Sequence, residues 1–442
     1  MKFLCASDLH LGRRAVGIPD HLGLDPGRFA TSAVWDLAVE LALRERVDLV
    51  LLAGDIVDRE NRLYEALGPL ERGVNTLGRH GIAVYAVAGE DDFDTLRRVA
   101  DNDDGDTLTL LGRDGHWQRL TVERDGRAAL RLAGWSAPGQ RFHGSVLAGF
   151  AEGATDERAD ASAPLVAMFH GTVSDQPRAA TDFAAVEQKQ LDGQEASLWI
   201  AGHEHTPRFA PNDDGTGLLV PGAICPLHAA ETGPHGVWVV EVAPETPVSA
   251  HLVALAPIRF EAVRVDLSDV VEPADVEAVL IRALHDALAA ALREDPHGNL
   301  LCVSCRVHLA GQTRLHGDVP TIVQDLARTL DIQERGVVAA IGDVVVETRP
   351  PLDLDLLVRR PDSVGEIARL LAALDADDPA ELSDAQRELV GRGVTRLQAI
   401  HRARVFAAVA GDREPDAEDA KRELRRQGWD VLAGLIQQRE VE

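Results

Sequence analysis

Buried strands alternating with amphipathic helices predict an α/β fold, and Asp or His placed where those strands end predicts that one sheet edge carries chemistry. The strands are the short apolar run from Lys2 to Ser7, ValAspLeuValLeuLeuAlaGly at 47–54 and IleAlaValTyrAlaValAlaGly at 82–89. Between the first two, residues 29–45 set Phe29, Val34, Leu37, Ala38 and Leu41 on one helical stripe, and residues 62–79 read as a second helix. Continuous apolar runs joined by helices imply a parallel sheet covered on both faces. Loops following such strands gather at one edge, where α/β folds place their ligands.

The segment 101–135 reads as short strands, with turns at AspAsnAspAspGly and ArgAspGly. Two more buried strands follow at 164–169 and 197–201, and a β-rich run closes a first domain at 257. Residues 258–349 read as strand, helix (272–292), strand (298–309), helix (318–331) and strand (341–347), a small α+β unit. ThrArgProProLeuAspLeuAspLeu at 348–356 has the paired prolines of a linker, and from 362 the pattern is helical, ending in a charged helix at 414–439. Domains are therefore expected at 1–257, 258–349 and 350–442.

At 442 residues the chain exceeds one ordinary core, and with 45% hydrophobic but only 4% aromatic residues that core has to be aliphatic. Acidic residues outnumber basic ones 72 to 45, a formal net charge of −27. A uniformly negative surface repels nucleic acid, so any DNA contact has to be local or supplied by a partner. Arg13, Arg14, Arg28, Arg97, Arg98 and Arg141 are loop arginines that read one by one as solvated surface. No apolar run approaches the roughly 18 residues of a spanning helix, and the N-terminal stretch turns polar too soon for a secretory signal. A cytoplasmic protein with no membrane contact is the expectation. Cys5, Cys225, Cys302 and Cys305 are too few for a disulfide framework. Cys302 and Cys305 lie in a strand run whose positions i and i+3 face opposite sides, so they read as buried thiols rather than as a zinc or redox pair.

Five short stretches carry the chemistry: SerAspLeuHis at 7–10, GlyAspIleValAsp at 54–58, GlyGluAspAsp at 89–92, PheHisGly at 169–171 and GlyHisGluHis at 202–205. Asp8 and His10, one residue apart, can both turn toward one cation at a strand end, and hard divalent metals accept such mixed oxygen and nitrogen donors. Asp55 adds a carboxylate able to bridge two ions about 3.5–4 Å apart. His170 alone would read as a core histidine; with His203 and His205 in the same order it reads as a ligand. Glu204, between two of those histidines, reads as surface or supporting, and His228 and His235 as ordinary loop histidines.

That order resembles the calcineurin-like metallophosphoesterase superfamily over roughly 250 residues. SerAspLeuHisLeuGly, ProGlyAla at 221–223 and GluThrGlyProHisGlyValTrpValValGluVal at 231–242 look like the nuclease subunits of SbcCD-type DNA repair complexes, in particular the YhaO-like branch. The resemblance implies a β-sandwich flanked by helices, then a small α+β capping domain and a helical C-terminal region. It implies one metal held by Asp8, His10, Asp55 and His205, and a second by Asp55, Glu90, His170 and His203. The ions would be manganese, with magnesium, iron or zinc as alternatives. It further implies DNA as substrate, an SMC-like coiled-coil ATPase of the SbcC or YhaN type docked on the C-terminal helices, and a homodimer formed through helices such as 62–79.

The third motif departs from the family. Where Gly-Asn-His-Asp is usual, Glu90 takes the place of the Asn ligand and Asp91 that of the catalytic histidine, beside an acid at the place of Asp58. A third ligating carboxylate lowers the positive charge left for phosphate, and an Asp facing Asp58 replaces an attractive pair with two like charges. Asp91 and Asp58 remain the candidate acid and its neighbour. Reduced or absent nuclease activity is expected, with a noncatalytic scaffold and a small-molecule phosphodiesterase as alternatives.

Overall fold

The computed structural model describes residues 1–60, 64–102, 107–142, 144–151, 162–175, 183–213, 215–375, 382–401 and 415–440. The start of the 62–79 helix and residues 103–105 of the first expected turn lie outside them. The strands are β1 (Lys2–Ala6), β2 (Leu49–Ala53), β3 (Ala83–Val87), β4 (Leu108–Leu110), β5 (Gln118–Arg124), β6 (Arg127–Trp135), β7 (Leu165–His170), β8 (Val173–Ser174), β9 (Val186–Glu187), β10 (Leu198–Gly202), β11 (Arg208–Pro211), β12 (Gly217–Val220), β13 (Gly236–Ala243) and β14 (Thr246–Ala254). Two six-stranded sheets result, ordered β14-β13-β1-β2-β3-β4 and β11-β12-β10-β7-β6-β5. Their central strands run parallel, whereas β13, β14, β5 and β11 pair antiparallel.

Strand parity explains the layering. Phe3, Cys5, Leu49 and Leu51 turn inward and pack with Val166, Met168 and Ile200 of the second sheet, while Leu4, Ala6, Val50 and Leu52 turn outward. The outward set meets helices α1 (Thr31–Glu45) and α2 (Tyr64–Arg79). The expectation of a parallel sheet covered on both faces, in a β-sandwich flanked by helices, holds for the central strands. One face is covered by helices and the other by the second sheet, and apolar runs buried on both faces read alike in either case.

Helix α1 starts two residues after Phe29 because Pro26–Phe29 forms a separate 3-10 turn, with the Asp25 carboxylate accepting the Gly27 N–H at 2.9 Å. It ends where Arg46 adopts a left-handed φ of 51°. Val34, Trp35, Ala38 and Leu41 form its buried stripe, and the Trp35 indole donates to the Pro69 carbonyl at 3.2 Å, locking α1 to α2. Short helices α3 (Thr95–Asp101) and α4 (Gln188–Asp192) complete this region.

Further along lie β15 (Ile258–Asp266), helix α5 (Pro273–Arg293), β16 (Cys302–Ala310), α6 (Val319–Leu326), β17 (Asp331–Glu334), β18 (Val337–Val346), α7 (Leu354–Leu357), α8 (Ser363–Asp375), α9 (Asp384–His401) and α10 (Ala417–Glu440). Strands β15 to β18 form a four-stranded sheet in the order β15-β16-β18-β17. The chain divides into two compact units. One comprises Met1–Glu261, His285–Cys305 and Asp331–Gly342, and the other Ala262–Leu284, Arg306–Leu330 and Asp343–Glu442. Within the second, α8, α9 and α10 share two apolar clusters, Val364, Leu371, Trp429 and Leu432 in one and Leu374, Leu382, Val390 and Ala420 in the other. Arg349 and Arg425 both pair with Asp375, at 3.0 and 3.4 Å. No described helix is long and apolar enough to cross a membrane.

Candidate active site

The loops leaving β1, β2, β3 and β10, together with the end of β7, bring the five sequence motifs into one place. Backbone bonds set the frame: the Asp8 N–H donates to the Gly54 carbonyl and the His10 N–H to the Asp55 carbonyl, both at 3.0 Å. Asp8, His10, Asp55 and His203 all have left-handed φ values, 49°, 40°, 49° and 87°. Such conformations cost on the order of 1–3 kcal/mol each and persist where surrounding structure over-determines them. Two glycines allow the close approach: a Cβ on Gly89 would strike the Asp55 carboxylate, and one on Gly202 would strike the Ala53 carbonyl and come within 2.7 Å of His170 Nδ1.

The donor atoms fall into overlapping groups within 4.8 Å: Asp8, His10 and His205; Glu90, His170 and His203; Asp8, Asp55 and His170; and His10, Asp55 and Asp91. Glu90 spans two imidazoles, one oxygen 2.9 Å from His170 Nε2 and the other 2.9 Å from His203 Nδ1. His170 Nε2 is also 3.5 Å from Asp55, while its Nδ1 is held 2.9 Å from the Ala53 carbonyl. His10 and His205 face each other, Nε2 to Nε2, at 3.2 Å. Asp91 and Asp58 approach the same atom, His10 Nδ1, at 3.8 and 4.0 Å, and Arg13 stands 3.6 Å from Asp58. The substituted acid at 91 therefore faces an imidazole as well as a carboxylate.

Charge is crowded here. Burial pushes the Asp91 carboxyl up to about 6, reinforced by Asp55, Glu90 and Asp58. Burial would also raise Glu90, but His170 and His203 hold it well below the usual carboxylate range. Burial alone would lower both His170 and His205; Asp55 and Glu90 instead raise His170 well above the ordinary imidazole value, and Glu231 with Asp8 carries His205 to about 9. So many carboxylates demand positive charge beside them.

The donor set fits divalent cations. His10 Nδ1 is buried without a hydrogen-bond partner, a condition that buried polar atoms rarely tolerate, and His170 Nε2 faces the carboxylates of both Glu90 and Asp55. Mixed imidazole and carboxylate donors are what such ions accept.

Sequence reasoning passed over two acids. Asp92 is fully buried and accepts the backbone N–H groups of Ile56, Val57 and Gly89 at 2.6, 3.3 and 2.8 Å. Glu231 lies 2.7 Å from His205 Nδ1. Asp92 follows two acids read as active, and Glu231 is 26 residues from its partner, so neither spacing nor periodicity marked them. Glu204 accepts the Val173 N–H at 3.0 Å and stands 3.4 Å from Arg208, a supporting position. His228 is half-exposed beside Glu231, and His235 is buried with Nδ1 2.9 Å from the Ala223 carbonyl.

Comparison with known proteins agrees with the geometry. Residues 1–207 match the model of the calcineurin-like phosphoesterase family. The chain is similar to the metallophosphoesterase YhaO of Bacillus subtilis strain 168, 24% identical over 265 residues, which cover 55% of this chain and 57% of that relative. The chain thus spans little more than half the length of that relative. Similar solved structures include a dimetal phosphatase from Danio rerio (13% identical, 57% of this chain and 98% of that one, TM-score 0.36). Two others are the calcineurin-like phosphoesterase YfkN from Bacillus subtilis (12%, 57% and 90%, 0.32) and the Pseudomonas putida nuclease MPE (14%, 57% and 84%, 0.24). The two-sheet sandwich gathers Asp8, His10, Asp55, His170, His203 and His205 at its edge, all within residues 1–207, the span that matches the calcineurin-like phosphoesterase family.

Proposed function

We propose that this chain is the nuclease subunit of a DNA repair complex, hydrolysing DNA phosphodiester bonds at two divalent cations, manganese foremost, and working with an SMC-like coiled-coil ATPase. What supports the reading is the overlap of the Asp8–His10–His205 and Glu90–His170–His203 donor groups through Asp8, Asp55 and His170. Asp8, His10, Asp55 and His205 would hold one ion, and Asp55, Glu90, His170 and His203 the other. When bound, such a pair supplies an acidified water and a clamp for the nonbridging phosphate oxygens. Residues 1–257 would form the nuclease domain, 258–349 a capping domain and 350–442 the partner-binding region.

The chain's own contribution is weakened at its third motif. Two divalent ions bring four positive charges, so ligation by Asp8, Asp55 and Glu90 leaves one, where an Asn at 90 would leave two. Phosphate is held less tightly. Asp91, poised with Asp58 around His10, replaces an imidazole as the group nearest the leaving oxygen. Slow turnover follows. The net charge of −27 favours a second reading, a small-molecule phosphodiesterase, because a small substrate needs no basic track.

Manganese-dependent cleavage of linear duplex DNA and of bis(p-nitrophenyl) phosphate, by this chain and by a Glu90→Asn, Asp91→His variant, separates these readings. Slow DNA cleavage that rises about tenfold or more in the variant is expected. Equal rates would remove the role given to Glu90 and Asp91. Ester cleavage without DNA cleavage would replace the nuclease with the small-molecule enzyme, and silence from both proteins on both substrates would leave a scaffold.

A further inference from the structure

We infer that Glu231 is a positioning residue that fixes His205 as a metal ligand, an assignment resting on the two-cation reading above. An imidazole ligates only through the nitrogen that carries no proton, so whatever binds the other nitrogen decides which way the ring serves. Glu231 is 6% exposed and its far oxygen, Oε2, is anchored on the Leu227 N–H at 2.6 Å. Its backbone N–H is bonded to the His228 carbonyl at 3.0 Å, which leaves the near oxygen, Oε1, facing His205 Nδ1 at 2.7 Å and His228 Nε2 at 3.2 Å.

A carboxylate so placed requires the proton on Nδ1 of His205. In the neutral ring that a ligand must be, the lone pair is then on Nε2, which points into the candidate site, 3.2 Å from His10 Nε2 and 3.9 Å from Asp8. The backbone of His205 is fixed separately, its carbonyl accepting the Ala223 N–H at 3.0 Å, and Ala223 is bridged to Ser7 beside Asp8. Backbone and ring are thus held by the same loop, 221–235, through different bonds. A purely structural acid would need only the Leu227 contact. The second oxygen, aimed at the rear nitrogen of a candidate ligand, is what a structural role leaves unexplained.

Manganese titration by calorimetry of the full chain, with Glu231→Ala, Glu231→Gln, His205→Ala and the Glu231→Ala, His205→Ala double variant, tests this without reading activity. Glu231→Ala is expected to weaken one of two binding events by about 10- to 100-fold. Glu231→Gln, which keeps a neutral acceptor for Nδ1, should lose less. The double variant should bind no more weakly than His205→Ala alone, because Glu231 acts through that ring. Wild-type affinity in folded Glu231→Ala, or losses that add in the double variant, overturns the assignment. If Glu231→Ala does not fold, the same cycle built on Glu231→Gln decides by the same additivity criterion. A wild-type chain that binds no manganese overturns the two-cation reading and this inference together, and the wild-type titration alone identifies that case.

Discussion

At the scale of single residues, three consecutive acids in one motif do three different jobs, and composition cannot tell them apart. Glu90 lies between two imidazoles, Asp91 faces His10, and Asp92 points back into the protein to tie the loop after β2 to the loop after β3. Three backbone N–H donors on one buried carboxylate are charge-assisted bonds, and removing the acceptor strands all three donors. Asp92→Ala is therefore expected to lower the unfolding free energy by about 3 kcal/mol or more, and Asp92→Asn by less, since its single carbonyl still serves one loop. Urea unfolding monitored by circular dichroism measures both. A loss under about 1 kcal/mol for the alanine variant would mean that the loops are held by their flanking strands alone. The sequence showed that acids cluster at 90–92; only the direction each side chain takes, set by the left-handed turn at Asp55 and the close pass of Gly89, separates support from chemistry.

At the scale of elements, what burial dictates was legible and what pairing dictates was not. The apolar runs at 47–54 and 82–89 appear as β2 and β3, shortened at both ends, and those at 164–169 and 197–201 as β7 and β10, each shifted one residue along the chain. Strand β17 was missed: AspIleGlnGlu at 331–334 has one apolar residue, and it forms a strand because Arg335 and Gly336, both at positive φ, turn it against β18. The expected helix at 318–331 stops at Leu326, and a turn over 327–329 leads into β17. The cysteines at 302 and 305 follow strand logic. They lie in β16 fully buried, and burial pushes both thiols up to about 12. Cys5 and Cys225 are equally buried and also raised. At pH 8 a thiol of that kind is ionised in about one part in ten thousand, too little for attack on a disulfide reagent. Native protein treated with Ellman's reagent is expected to release almost no chromophore within an hour, and four equivalents once unfolded in guanidinium. Prompt release of one or two equivalents by the folded chain would place a thiol at the surface.

At the scale of the whole molecule, the mismatch between the proposed phosphodiester-cleaving role and a net charge of −27 makes a prediction opposite in sign to the ordinary one. A protein that grips DNA with a basic track releases counterions, so its affinity falls as salt rises. Here the long-range field repels a polyanion, while the attraction is confined to the few ångströms around the candidate cations. Raising salt from about 10 mM to about 150 mM shortens the screening length from about 30 Å to about 8 Å. That removes most of the distant repulsion and leaves the short-range attraction largely intact. The KM for duplex DNA is therefore expected to fall several-fold across that range at saturating manganese, with kcat little changed, while the KM for bis(p-nitrophenyl) phosphate, a single negative charge, moves much less. Steady-state kinetics at four or five ionic strengths resolve the sign. A KM for DNA that climbs with salt would reveal cationic contacts hidden by the acidic average, with Arg13, Arg14 and Arg28 the first to substitute. If instead a partner supplies the missing positive charge, adding it should restore the ordinary salt dependence, because the counterions released would then come from DNA bound along the partner.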